Sequence, residues 1–136
     1  MGETHQKTAD PSLFSPAETV DFAVIEELAK YLPMEVLAPR LQTFRSEMAL
    51  LPVRLWQELE LGEIGAMGEL AHKFSGAAGI FGAVHLRECL LQLERACKTG
   101  DASQLDLLCG NAARAVISAE QALDAHLAAH PAFRNF

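Results

Sequence analysis

Apolar residues recur every three or four positions through most of this chain, and that period restricts it to helices. Leu37, Leu41, Phe44, Met48, Leu51, Leu55 and Leu59 form one stripe, and Leu105, Leu108, Ala112, Val116, Ala119, Leu123 and Leu127 form another. Between them, Leu86, Leu90, Leu93 and Cys97 keep the same spacing until Gly100 stops the run. No alternating β-branched run bounded by turn dipeptides occurs, so no strand is expected. Punctuation divides the stripes. "SPAE" offers Ser15 as an N-cap, Pro16 at the first helical position and Glu18 as capping-box partner, predicting a short helix that ends near Leu32, before Pro33. Pro52 removes a backbone donor inside the second stripe and predicts a kink there. A further helix is expected over roughly Glu63 to Phe81. Asp101, with Gln104 three residues on, predicts the start of the last helix, which ends before Pro131. The expectation is an all-α chain: an antiparallel four-helix bundle over residues 34–130, with an additional short N-terminal helix over 15–33. Residues 1–14 and 131–136 are expected to be tails.

Composition narrows the function. The chain has 136 residues, half of them apolar, enough for one domain with its own core. A net charge of -7 with scattered Lys and Arg leaves no basic stripe for a phosphate backbone, so nucleic acid is not an expected partner. Cys89, Cys97 and Cys109 lack C-x-x-C spacing and sit within apolar helical patterns, which suits reduced thiols in a cytoplasmic setting. No run is long and apolar enough to cross a membrane, and the N-terminus has no apolar signal core. The initial methionine and the capped first helix favour a free-standing protein, expected as a monomer.

The segment "ELAHKFSGAAGIFGAVHL" is unusual for a packing helix because of its glycines. At roughly 100° per residue, Gly65, Gly68, Gly76 and Gly79 fall within about 40° of His72, with Glu69 and Ser75 at the edges of that sector. Met67, Leu70, Phe74, Ala77, Ala78 and Phe81 lie on the other side. Each interior glycine costs up to about 1 kcal/mol relative to alanine, so the face gives up helix propensity in return for space around an outward imidazole. The alternative is a glycine face closed on a neighbouring helix, with His72 at its margin. That would send Met67, Leu70, Phe74 and Phe81 toward water, each forfeiting roughly 1.5 to 3 kcal/mol of burial.

"AHKFSGAAGIFGAVHL", followed by "LERACKTGD", resembles the histidine-containing phosphotransfer (Hpt) domain over about residues 35 to 128. His72 matches the family's phosphoacceptor, Gly76 the glycine four residues on, and Ala77 and Ala78 the small pair. Gly82, Ala83, Leu86, Leu93, Glu94, Gly100 and Asp101 follow in step. The family's lysine three residues after the histidine is replaced by Ser75, while Lys73 follows the histidine directly.

The resemblance implies a helical carrier that accepts a phosphoryl group from a receiver-domain aspartate and passes it to another receiver. Receivers and a hybrid histidine kinase are the partners it implies, with Mg²⁺ held by the receiver and no cofactor or metal on this chain. Such a transfer has a loose transition state and needs in-line positioning and charge compensation more than acid–base machinery. A neutral imidazole, with an ordinary pKa of about 6.5, is a competent nucleophile near neutral pH. Lys73 and Ser75 are the expected contacts to the phosphoryl group. Gly65, Gly68, Glu69, Gly76 and Gly79, with Ile64, Ala71 and Ile80 as apolar rim, form the expected docking face. The second class of function is a non-catalytic helical adaptor that binds a receiver or kinase without efficient transfer, supported by the missing lysine at position 75. No G-x-x-x-x-G-K-[ST] loop is present, so no kinase activity is expected. His126 and His130 share a helix face at metal-ligand spacing, yet no Cys or carboxylate pair supplies the rest of a first shell, so no metal is expected there. His85 is expected as a polar surface or boundary residue, and His5 in the tail.

Overall fold

The structure, a computed structural model, describes residues 19–133. Among these residues there are five α-helices and no strand: α1 (Phe22–Tyr31), α2 (Met34–Leu61), α3 (Ile64–Ile80), α4 (Val84–Thr99) and α5 (Leu105–Ala129). Short 3-10 turns, Ala102–Gln104 and Pro131–Phe133, stand before and after α5. Helices α2 to α5 pack in a closed cycle, each against the next and α5 back on α2. Tight loops between long helices give the antiparallel bundle expected from the stripes.

The core is built from those stripes. Leu37, Leu41, Phe44, Met48, Leu51 and Leu55 of α2 meet Met67, Ala71, Phe74 and Ala78 of α3, Leu86, Leu90 and Leu93 of α4, and Leu105, Val116 and Leu123 of α5. Phe44 stacks on Phe74 with ring centroids 5.4 Å apart and lies 4.9 Å from Phe81, fixing the rotation of α3 about its axis. Gly62 and Gly100 end α2 and α4 at φ 74°, the left-handed conformation that glycine adopts without strain.

Two boundaries depart from expectation. The cap proposed at Ser15 to Glu18 lies outside the described residues, as does the tail at 1–14. Within the described residues Thr19 is helical, the helix breaks at Val20 and Asp21, and α1 starts at Phe22, where the Asp21 carboxylate accepts from the Ala23 amide at 3.2 Å. The Asp21 amide donates to the Gly82 carbonyl at 2.7 Å, which takes the backbone out of helical hydrogen bonding at that point. Gly82 is needed there, because a Cβ would run into the Asp21 carbonyl oxygen. The second helix runs through Pro52 as expected: α2 is one helix of 28 residues that holds both Pro39 and Pro52. Its buried face packs on α3 and α5, and that tertiary burial outweighs the missing donors. Secondly, Pro131–Phe133 forms a turn with Phe133 packed against the core, where a tail was expected.

Candidate functional site

His72 lies in the middle of α3, and its side chain is 72% exposed. The anchoring side of the helix is as the wheel places it: Met67, Phe74, Ala78 and Phe81 are buried, and Leu70 and Ala77 are half-buried. Beside the imidazole is a recess of about 430 Å³ between α3 and α4, lined by Ile64, Gly65, Gly68, Glu69, His72, Glu94, Cys97 and Lys98.

Glu94 reaches His72 from α4. Its carboxylate oxygen Oε2 is 3.0 Å from His72 Nδ1 and 3.0 Å from Lys98 Nζ, one helical turn along α4. The Glu94 side chain is 9% exposed, while Lys98 is largely in solvent. The hydrogen bond from Lys98 holds the Glu94 carboxyl below its ordinary range, burial opposes that, and the hydrogen bond from His72 adds to it. An ionised carboxylate can only accept, so Nδ1 of the neutral ring is the donor and the lone pair is left on Nε2. One side chain thus sets both the orientation of the imidazole and its tautomer.

The glycines divide into two kinds. A Cβ at Gly65 or at Gly76 would meet nothing within 4 Å, so nothing inside the chain calls for their missing side chains. Gly68 differs from expectation. It is buried, and a Cβ there would sit 3.0 Å from Cys97 Cβ, so Gly68 serves the close approach of α3 to α4 and not a docking face. That approach is what lets Glu94 span the gap to His72. Gly79 is exposed, with the Arg87 side chain 3.3 Å from where its Cβ would stand.

Ser75 also departs from its expected role. It is buried, and its hydroxyl donates to the His72 carbonyl at 2.7 Å, so it is turned into the helix and away from any ligand of the imidazole. Ala71 is fully buried and contributes nothing to a rim. Lys73 is exposed, outside the recess, and in no ion pair among the described residues. Glu69 is exposed at the recess, Ile64 is half-buried there, and Ile80 is 58% exposed. Sequence reasoning counted Glu94 only as a motif element and missed Lys98. The available signal was their i,i+4 spacing, which marks a pair but not the helix it faces.

A family model for the Hpt domain matches residues 40–131, which covers α2 from its second turn through α5. The chain belongs to the Hpt domain family. No curated protein and no solved structure gives a significant match. Hpt domains carry phosphoryl groups on histidine in phosphorelays and engage receiver domains and kinases, without being kinases themselves. In this Hpt protein no helix among the described residues is long and apolar enough to cross a membrane. His85, at the start of α4, is half-buried, with Nε2 3.9 Å from Cys89 Sγ, and burial holds it below the ordinary imidazole range. His5 lies outside the described residues.

Proposed function

We propose that His72 is the phosphoacceptor, taking a phosphoryl group from a receiver-domain aspartate and handing it to another receiver. The observation that carries this reading is an exposed imidazole whose Nδ1 is engaged by a buried carboxylate, leaving Nε2 free toward solvent. Nε2 attacks phosphorus in line: the N–P bond forms as the P–O bond to the aspartate breaks, and the aspartate leaves as a carboxylate. The ring becomes an imidazolium bearing hydrogen on Nδ1 and phosphorus on Nε2, and the Glu94 carboxylate stabilises that positive charge. Onward transfer reverses these steps on a second receiver. Because the ring is already oriented, the reaction needs little besides alignment of the two partners.

Lys98 takes the place of the cation that position 75 lacks. Its ammonium lies beside the recess, keeps Glu94 ionised, and is within a side-chain rotation of a phosphoryl oxygen approaching His72. Lys73 is a second source of positive charge from the outer surface of α3. Gly65 and Gly76 clear the approach of the receiver, Glu69 borders it, and Ile64 and Ile80 supply apolar contact. The protein acts without ATP or a metal of its own in this transfer, Mg²⁺ coming with the receiver. Reduced thiols and the net charge of -7 suit a cytoplasmic monomer that does not bind nucleic acid.

Incubation with a ³²P-labelled receiver tests the proposal. Label that is acid-labile and base-stable should appear on the wild-type chain and be absent from His72→Gln, with unchanged circular dichroism. A chain that binds the receiver but remains unlabelled would make it an adaptor.

A further inference from the structure

A second group of donor atoms lies outside the recess, where α1 meets the last turns of α5. Glu26, His126 and His130 each bring one ligand atom within 4.8 Å of the other two, and His130 Nε2 is 4.0 Å from the nearer Glu26 oxygen. The two histidines are one turn apart on α5, with ring centroids 5.0 Å apart. The His126 ring is held in place by Phe22 of α1, stacked at 4.1 Å and 9°. Its Nε2 is buried and has no hydrogen-bond partner, a condition it shares with only the Ser118 hydroxyl among the buried side-chain polar atoms of the described residues. A buried ring nitrogen without a partner needs an explanation, and an ion is one.

We propose that Glu26, His126 and His130 form a binding site for a divalent transition-metal ion of the zinc type, which clips α1 to the end of α5. Two imidazoles and a carboxylate are a donor set that suits zinc, whereas magnesium and calcium prefer oxygen throughout. Bonds of about 2.0 to 2.2 Å require the three ligand atoms to close to roughly 3.3 Å from one another. That is a contraction of up to about 1.5 Å from the present 4.8 Å, available to Glu26 and His130, whose side chains are 55% and 43% exposed. Water completes the coordination. The pairing of the histidines was visible in sequence, but the carboxylate comes from a helix near the other end of the chain. Glu26 lies outside the segment matched by the Hpt model, and the metal site does not depend on the role of His72.

The test is a calorimetric titration of the metal-free, reduced full chain with zinc chloride, with melting temperature followed in parallel. The expected result is one equivalent bound and a melting temperature that rises with zinc. Binding should weaken tenfold or more in His130→Ala and several-fold in Glu26→Gln, and remain intact in His72→Gln. His126→Ala also removes the stacking on Phe22, so the variants at the two more exposed ligands decide the outcome. Absence of saturable binding, or binding undiminished in both His130→Ala and Glu26→Gln, would overturn the proposal.

Discussion

Replacing glycine by alanine should have opposite effects at Gly76 and Gly68, although both stand close to His72 on the same helix. At Gly76 the backbone is helical and a Cβ meets nothing within 4 Å, so Gly76→Ala gains helix propensity of up to about 1 kcal/mol with nothing set against it. At Gly68 the same gain is opposed by contact with Cys97 Cβ at 3.0 Å. Both atoms are fixed directly to helix backbones, so relief requires α3 and α4 to move apart. Overpacking of this kind costs about 1 to 3 kcal/mol, leaving a net loss of about 1 kcal/mol in Gly68→Ala. In a domain of this size each kcal/mol shifts the melting midpoint by roughly 3 to 6 °C. Urea and thermal denaturation should therefore place the two variants on either side of the wild type. Phosphotransfer should follow a different order. Parting α3 from α4 lengthens the 3.0 Å contact of His72 with Glu94, so Gly68→Ala should be slower as well as less stable. Gly76→Gln should be stable yet slow, because its side chain stands in the approach to the imidazole. If Gly68→Ala proved as stable as Gly76→Ala, the division of the glycines into packing and clearance roles would be wrong.

Three further outcomes follow from the same geometry. The folded-state pKa of Glu94 is lowered, chiefly by Lys98, so its stabilisation is complete above the ordinary value of 4.5 and lost as pH falls through the folded value; acid denaturation between about pH 5 and pH 3 should cost wild type more stability than Glu94→Gln. Lys98→Ala should slow transfer several-fold, more than Lys73→Ala, and Ser75→Ala should leave the rate nearly unchanged because that hydroxyl is committed to the His72 carbonyl; a slow Ser75→Ala would restore the direct role that its place in the sequence suggests. Burial pushes the thiols of Cys89 and Cys109 up to about 11, so iodoacetamide near neutral pH should leave both unmodified in the native chain and label them once it is unfolded, as read by intact mass.

The bundle and the outward direction of His72 were legible because each follows from one helix considered by itself. Leu37 to Leu55 and Leu105 to Leu123 announce their buried faces by period, and Phe74 and Phe81 fix the anchored side of α3. What was not legible depends on a second helix. Gly68 and Gly65 occupy similar positions on a wheel, yet only Gly68 faces Cys97. Glu94 and Lys98 form an i,i+4 pair that would be an ordinary surface pair on an isolated helix; packing against α3 turns it toward the imidazole. Ser75, about 60° from His72 by periodicity, falls on the buried side because α3 leans on its neighbours there. Asp21 caps α1 through a local hydrogen bond readable from sequence, but its tie to Gly82 joins distant segments.

At the centre of the proposed chemistry, Glu94 holds the proton of His72 on Nδ1 and so makes Nε2 the nucleophile. Multiple-bond ¹H–¹⁵N spectra of histidine-labelled protein, recorded before and after phosphorylation by a receiver, test it directly. The expected result is the Nδ1–H tautomer of His72 before transfer, with phosphorus on its Nε2 afterwards. Phosphorus on Nδ1, or on any other histidine, would contradict it.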